Sequence, residues 1–128
     1  MRERTLKFRA WSKGHKIMHT KVNLYSLNRE GIMDRAQLDN KQIMENIGGS
    51  CEVMQFVGRH DRNGKEIFEA DIIKIHGLKD YYIVIYDEEF CEFRMKHYLS
   101  ESGYAFHVCT KPFEVVGNLF ETPHLLNP

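Results

Sequence analysis

The segment from Gly58 to Gly77 constrains the fold most, because two turn signals in it precede a regular run of apolar residues. The dipeptide Asn63-Gly64 favours a tight reversal, since Gly adopts positive φ without steric cost and Asn tolerates it. The residues after this dipeptide are mostly β-branched or aromatic, as in strands: Ile67, Phe68, Ile72, Ile73 and Ile75. The segment therefore predicts a two-residue turn, a short extended arm, a second turn over 69–71 and a strand over 72–76.

Acidic residues flank both turns, and two hypotheses for them stay open. Asp61 and Asp71 stand where a turn leaves backbone N–H groups unpaired, and an Asp side chain accepts such bonds at short range. Glu66 and Glu69 are then solvated strand ends. In the second hypothesis, a pair of these carboxylates carries acid–base chemistry or binds a metal ion. Turn capping is favoured, because the Asp side chains stand within short range of these unpaired N–H groups.

Further short strands are predicted around this segment, over 52–57, 81–86, 90–97, 104–108 and 113–116. The run 81–86 is continuously apolar, which predicts a central strand covered on both faces. Turn residues separate the strands, among them the pair Gly117-Asn118. Thr122-Pro123 then predicts an N-cap followed by the first residue of a closing helical turn. Short strands at this spacing are typical of a small antiparallel barrel, because closure removes exposed edges.

The N-terminal part of the chain predicts a β-hairpin. Residues 5–11 alternate apolar and charged side chains, as in a strand with one buried face formed by Leu6, Phe8 and Ala10. Residues 12–15 predict a turn, and residues 16–23 predict the returning strand. Trp11 is out of phase with Leu6 and Phe8, and two placements stay open for it: at the hairpin end or over the edge of the barrel.

Residues 24–49 are patterned weakly, with apolar side chains at mixed spacing. A short helix is predicted over 41–47, with Asp39 or Asn40 as N-cap and Gly48 as its C-terminal stop. Gly48-Gly49-Ser50 is the best candidate for a linker. The sequence therefore predicts an N-terminal piece, residues 1–49, and a barrel, residues 50–128.

The balanced charge of the chain limits any nucleic-acid contact to a local basic site. Eighteen basic and eighteen acidic residues give a formal net charge of zero, so no overall field attracts a polyanion. A local basic strip with interleaved aromatic side chains leaves two readings open, a solvated strand face or a nucleic-acid contact. It comprises Arg2, Arg4, Lys7, Arg9, Trp11, Lys13 and Lys16.

The cysteines and histidines predict neither a disulfide framework nor a metal site. Cys51, Cys91 and Cys109 are far apart and odd in number, which favours reduced thiols and the cytoplasm. The one close histidine pair, His15 and His19, would be about 13 Å apart along a strand, too far for one ion. No cofactor is expected. No apolar stretch reaches the length of a signal peptide or a membrane span.

The aromatic side chains between Tyr81 and Phe106 leave a further question open. Small barrels commonly use an exposed aromatic platform to bind peptides or single-stranded nucleic acids, but half of these rings are needed for the core. Because the run 81–86 lacks alternation, the pattern does not tell which rings are exposed.

Three separated blocks resemble the YopX-like family of phage and prophage proteins. They are residues 7–11, the segment comprising Gly58, Asp61, residues 63–67 and residues 69–73, and residues 114–118. Two positions depart from the family pattern: Ala70 stands where a Gly is usual, and Ser12 where an acidic residue is common. The resemblance implies a small phage-encoded protein without an assigned biochemical activity, and an SH3-like, five-stranded C-terminal barrel.

The expected function is that of a non-enzymatic phage accessory protein whose barrel is a binding or assembly module in the cytoplasm of a bacterial host. The expected partners are an unknown phage or host protein, or a second copy of the chain, and no membrane. Two alternatives stay open. One is a nucleic-acid-binding protein that uses the basic strip, and the other is an enzyme that uses the carboxylates between Asp61 and Asp71.

Overall fold

The computed structural model describes residues 6–20, 22 and 51–127. These residues form nine strands: β1 Phe8–Ser12, β2 Ile17–His19, β3 Cys51–His60, β4 Glu66–Phe68, β5 Asp71–Ile75, β6 Tyr81–Asp87, β7 Glu92–His97, β8 Gly103–Ala105 and β9 Phe113–Asn118. Two short 3-10 helices span Phe106–Val108 and Pro123–Leu126. The predicted mainly β fold is confirmed. The helix predicted over 41–47 and the linker at 48–50 lie outside the described residues.

The chain divides into two compact units, one up to Phe56 and one from Val57 onward. The predicted boundary at residue 50 lies just before β3, whereas this division falls inside β3. The strand begins with residues that pair with β1 and ends with residues that lead into the loop before β4.

The first unit contains the predicted N-terminal hairpin. β1 pairs antiparallel with β2, with Ala10 opposite His19, and with β3, with Ala10 opposite Val53. In the loop over 13–16, the Lys16 N–H donates to the Ser12 carbonyl at 2.7 Å. Trp11 lies within β1, half-buried, opposite Met18 on β2 and Glu52 on β3.

The burial predicted for β1 is wrong at one end. Ala10 is fully buried, but Leu6 is largely exposed because it precedes the first paired residue of the strand, Phe8. Ser12, which was assigned to the turn, is instead the last residue of β1 and is buried.

The second unit is built on a five-stranded antiparallel sheet with the order β8-β7-β6-β5-β9, which forms a half-barrel. The barrel-like fold predicted for this part is confirmed. Its core consists of apolar side chains from three of these strands, β5, β6 and β7, from β4 and from the 3-10 helix Phe106–Val108: Ile67, Ile73, Ile75, Tyr82, Val84, Met95 and Phe106. The register of β5 against β9 shifts between Ile72 and Ile73, where a bulge lies.

Strand β6 is central, as predicted, but it is not covered on both faces. Tyr82 and Val84 are buried, whereas Tyr81, Ile83 and Ile85 are half-buried and Tyr86 is exposed. The run of apolar residues hides this alternation, because the partly exposed positions are occupied by tyrosine and isoleucine, which are as apolar as the tyrosine and valine at the buried positions.

Three predicted elements end at other residues. β8 stops at Ala105, and Phe106–Val108 form a 3-10 helix instead of continuing the strand. Phe90 belongs to the loop before β7. Gly117 and Asn118 are the last residues of β9, and the turn follows them.

The turn at Asn63-Gly64 is real, but it is not a two-residue reversal. The Asp61 N–H donates to the Lys65 carbonyl at 2.9 Å, and the Gly64 N–H donates to the Asp61 carbonyl at 3.0 Å. Gly64 has φ +82°, whereas Asn63 has no positive φ. These bonds define a three-residue loop in which a turn is followed by one left-handed residue, a common alternative to the two-residue turn.

Ala70, in the turn before β5, adopts the left-handed region with φ +72°. Its N–H donates to the Val84 carbonyl at 2.9 Å, and its carbonyl accepts from the Leu119 N–H at 3.0 Å. The hydrogen bonds to Val84 and Leu119 therefore hold the Ala70 backbone in a conformation that is costly for a residue with a Cβ.

We expect Ala70→Gly to stabilise the protein by about 0.5–1 kcal/mol. Gly removes the steric cost of positive φ, which exceeds the entropy that Gly adds to the unfolded chain. Ala105 is the matched control, since its φ is −69° and its methyl group is buried. Ala105→Gly should destabilise. Urea unfolding of both variants measures the two signs, and a loss of stability in Ala70→Gly would contradict the prediction.

Gly64→Val should destabilise by about 1–3 kcal/mol, because a β-branched residue is forced into the left-handed region. A Cβ at Gly64 meets no atom within 4 Å, so the cost comes from the backbone and not from a clash. Lys65→Val, at the neighbouring exposed position, should change the free energy of unfolding by roughly 0.5 kcal/mol or less. Equal shifts of the thermal midpoint in the two variants would refute this assignment of the turn.

Candidate functional site

The Asp61 carboxylate binds three backbone N–H groups. Its Oδ1 accepts from Asn63 at 2.8 Å and from Lys65 at 2.9 Å, and its Oδ2 accepts from Val115 at 2.9 Å. The Arg62 N–H donates to the Phe113 carbonyl at 3.0 Å. The loop between β3 and β4 is thus tied to β9, and both carboxylate oxygens are occupied.

These bonds change the acidity of Asp61, which is only 7% exposed. Burial raises its pKa, but the N–H groups of Val115, Lys65 and Asn63 together with the Lys65 ammonium outweigh burial, so the pKa lies below its usual value. Asp61 is therefore ionised at neutral pH and is already fully engaged with backbone donors.

The second turn is held in a similar way. Asp71 is buried, and its Oδ2 accepts from the Phe68 N–H at 2.8 Å. Glu66 and Glu69, predicted to be solvated, are half-buried. Within residues 6–20, 22 and 51–127, no group of three or more His, Cys, Asp or Glu side chains is placed to hold a metal ion.

The end of β9 depends on Gly117 and Asn118. The Asn118 Oδ1 accepts from the Phe120 N–H at 3.0 Å and from the Glu121 N–H at 2.8 Å. The Thr122 hydroxyl accepts from the Asn118 N–H at 3.0 Å instead of capping the last helix. A Cβ at Gly117 would overlap this hydroxyl, so the absence of a side chain permits the close approach.

Gly58, within β3, is exposed and has φ +87°.

The basic strip predicted near the N-terminus is interrupted. Lys7, Lys13 and Lys16 are exposed, and the Lys13 Nζ lies 2.7 Å from the Glu52 Oε1. Arg9, predicted to be solvated, is only 8% exposed, because its long side chain packs against Met54, with Nε 3.4 Å from Sδ. Arg2 and Arg4 lie outside the described residues, and Trp11 is half-buried.

His97 lies in a hydrogen-bonded cluster that resembles an acid–base pair. Its Nε2 is 2.9 Å from the Asp80 Oδ2, and its Nδ1 accepts from the Leu99 N–H at 3.1 Å. The neutral ring therefore carries its proton on Nε2, and both nitrogens are engaged. Tyr82 lies beside this cluster, with its ring edge-on against His97. The pKa of Tyr82 is raised, mainly by burial and to a smaller extent by the neighbouring Tyr104.

An open groove of about 320 Å³ runs beside the hairpin of β6 and β7. Its lining combines aromatic and charged side chains: Ile85, Tyr86, Asp87, Glu88, Glu89, Phe90, Arg94, Met95, Lys96, Glu101 and Gly103. Tyr86 and Phe90 are 46% and 55% exposed. The Tyr86 ring packs edge-on against Phe93, with centroids 5.2 Å apart. The hairpin therefore presents two aromatic rings to solvent, one of them in contact with a neighbouring ring on the next strand.

The hairpin loop that carries Phe90 has a defined conformation. Asp87 pairs with Glu92 across the hairpin, and the Asp87 Oδ1 accepts from the Glu89 N–H at 3.0 Å. Cys91 occupies the left-handed region with φ +53° and closes the loop. The position of Phe90 thus follows from the loop backbone as well as from its own contacts.

Arg94 occupies one face of the Phe90 ring. Its guanidinium carbon lies 4.2 Å from the ring centroid, its Nη1 3.1 Å from the Glu92 Oε1 and its Nε 3.9 Å from the Asp87 Oδ2. The groove thus contains a guanidinium that contacts both an aromatic ring and carboxylates.

The remaining charges of the groove are mainly negative. Glu88, Glu89 and Glu101 are exposed, and none forms an ion pair with any residue that the structure describes. Lys96 directs its Nζ to the His97 carbonyl at 3.4 Å. The sequence pattern indicates the aromatic residues of this region but not the groove itself. An aromatic residue directly after an acidic turn was the signal for this groove.

Comparison with protein families gives one match that covers nearly the whole chain. The family model described as "YopX protein" matches residues 7–127. The chain belongs to the YopX family.

This YopX-family protein is also similar to a solved structure, the crystal structure of protein EF1440 from Enterococcus faecalis. The TM-score is 0.63 at 23% identity, and the likeness covers 97% of this chain and 99% of that one. It shows the fold alone. A search of curated proteins found no match. Among the described residues, no helix is both long enough and apolar enough to cross a membrane.

We expect Asp61→Asn to lower the free energy of unfolding at pH 7 by about 1–3 kcal/mol, because at least one buried N–H loses its acceptor. The folded-state pKa of Asp61 lies below the unfolded value, so this stability is present above about pH 4 and is lost as pH falls through the folded pKa. Urea unfolding of both proteins at pH 7, 5 and 3 measures the difference.

That difference should stay constant between pH 7 and 5 and shrink by pH 3. Glu101→Gln, at an exposed carboxylate, is the control and should change stability by roughly 0.5 kcal/mol or less. A difference between Asp61→Asn and the natural protein that grows toward pH 3 would contradict the assignment.

Proposed function

We propose that this YopX-family protein is a non-enzymatic accessory protein of a phage or prophage, and that its barrel binds another protein through the groove beside β6 and β7. The observation that carries the proposal is the exposed ring of Phe90 on a loop of defined conformation next to an open groove, with the exposed ring of Tyr86 near the adjoining end of β6. Aromatic side chains that are held rigidly contribute much of the binding energy at protein interfaces.

The hydrogen bonds of Asp61 and Asp71 favour a binding role over an enzyme that uses these carboxylates for catalysis. Asp61 accepts three backbone N–H bonds and Asp71 accepts one at 2.8 Å, so each is engaged in holding its own turn. A general acid or base must instead reach a proton of the substrate.

The charge of the groove supports a protein over a nucleic acid as partner. Four carboxylates line it, namely Asp87, Glu88, Glu89 and Glu101, against two cations, and this excess repels phosphates. The exposed lysines 7, 13 and 16 leave nucleic-acid binding as the alternative. Saturable binding of mixed DNA or RNA at low salt would favour that alternative.

We place the partner among phage or host proteins in the cytoplasm of a bacterial host. A second copy of this chain is the other candidate, since a homo-oligomer would use the same exposed side chains. Light scattering separates the two: a mass that doubles with concentration in the natural protein and not in Phe90→Ala would identify the second copy.

The test is a capture experiment from extracts of phage-infected cells with three forms of the full chain. Phe90→Ala should lose a captured protein that the natural chain retains, because the exposed ring is removed. Leu99→Ala is the matched control, since Leu99 is 76% exposed and does not line the groove. Loss in both variants, or in neither, would argue against the groove, provided that thermal unfolding shows both variants folded.

A further inference from the structure

We infer that the groove recognises an extended segment of the partner protein that presents an arginine beside an apolar residue. This inference rests on the proposed function and names the chemistry of the ligand. It is argued from the two exposed rings and from the charge that surrounds them.

The first step is the contact that the groove already makes with its own arginine. Arg94 lies 4.2 Å from the Phe90 centroid and pairs with Glu92 at 3.1 Å. A guanidinium is planar, so it contacts a ring and carboxylates at the same time, which a lysine ammonium does less well. Three further carboxylates line the same groove, those of Glu88, Glu89 and Glu101.

The second step concerns the acidic side chains that remain. Glu88 and Glu89 lie in the loop beside Phe90, and Glu101 lines the groove just before β8. No ion pair joins these three to any part of the chain that the structure describes. An incoming cation therefore meets unpaired carboxylates, and binding need not break an existing pair.

The third step concerns the apolar half of the ligand. Phe90 and Tyr86 are 55% and 46% exposed, and the half-buried Ile85 also lines the groove. A groove of about 320 Å³ holds a few side chains and not a folded domain. The ligand is thus a short segment with one cationic and one apolar side chain.

The experiment uses the full chain and three labelled peptides, followed by fluorescence polarisation. The first peptide carries the core Arg-Leu between glycines, the second replaces the arginine by citrulline, which keeps the shape without the charge, and the third carries Glu-Leu. We expect saturable binding of the arginine peptide alone, weakened by salt. Binding of the citrulline peptide should be at least about tenfold weaker.

Two triple variants locate the binding. Changing Glu88, Glu89 and Glu101 to Gln should weaken the arginine peptide by about tenfold or more. The control changes Glu52, Glu114 and Glu121 to Gln, which removes the same charge from residues that do not line the groove. Its affinity should match that of the natural chain. Backbone NMR shifts on binding should cluster at residues 86–92 and 101–103.

Equal affinity of both triple variants, equal binding of the citrulline peptide, or no binding up to about 1 mM would overturn the inference. If a captured partner still depends on Phe90 in that case, the proposed function stands and only the ligand chemistry is wrong. If no partner depends on Phe90 and no peptide binds, both fail.

Discussion

One buried carboxylate joins parts of the barrel that are distant in sequence. Asp61 uses one oxygen to organise the loop between β3 and β4 and the other to bind the edge strand β9 at Val115. Because β9 pairs with β5 on its other side, this carboxylate bonds to the side of β9 that faces away from the sheet. An edge strand exposes unpaired N–H and C=O groups, and Asp61 and Arg62 occupy two of them.

The sequence predicts the positions of the turns well, but it does not predict the loop length or the backbone conformation of each turn. Asn63-Gly64 marked a reversal because Gly64 needs positive φ, but the loop length depends on the bonds of Asp61, which reach outside the loop. Ala70 gave no local sign of positive φ. Its conformation is imposed by partners at Val84 and Leu119, which are far away in sequence.

The sequence predicts burial correctly where apolar and polar residues alternate, but it does not predict the burial of amphipathic side chains. Arg9 appeared to be solvated by its charge, yet its stem is buried against Met54. Tyr86 has the same parity as the buried Tyr82 and Val84, but it lies near the hairpin end of β6, where the core no longer covers it. Alternation alone therefore does not reveal that Tyr86 is exposed, because its exposure depends on where coverage by neighbouring strands ends.

The bond between Asp61 and Val115 spans 54 residues of chain, in contrast to the hairpin contacts of β5, β6 and β7. Closing so long a loop costs more conformational entropy than forming adjacent hairpins. We therefore expect the meander from β5 to β7 to form early in folding and the Asp61 bond to form late. During synthesis β9 emerges after β5 to β8, so the unit from Val57 onward stays open at β9 until that strand has been made.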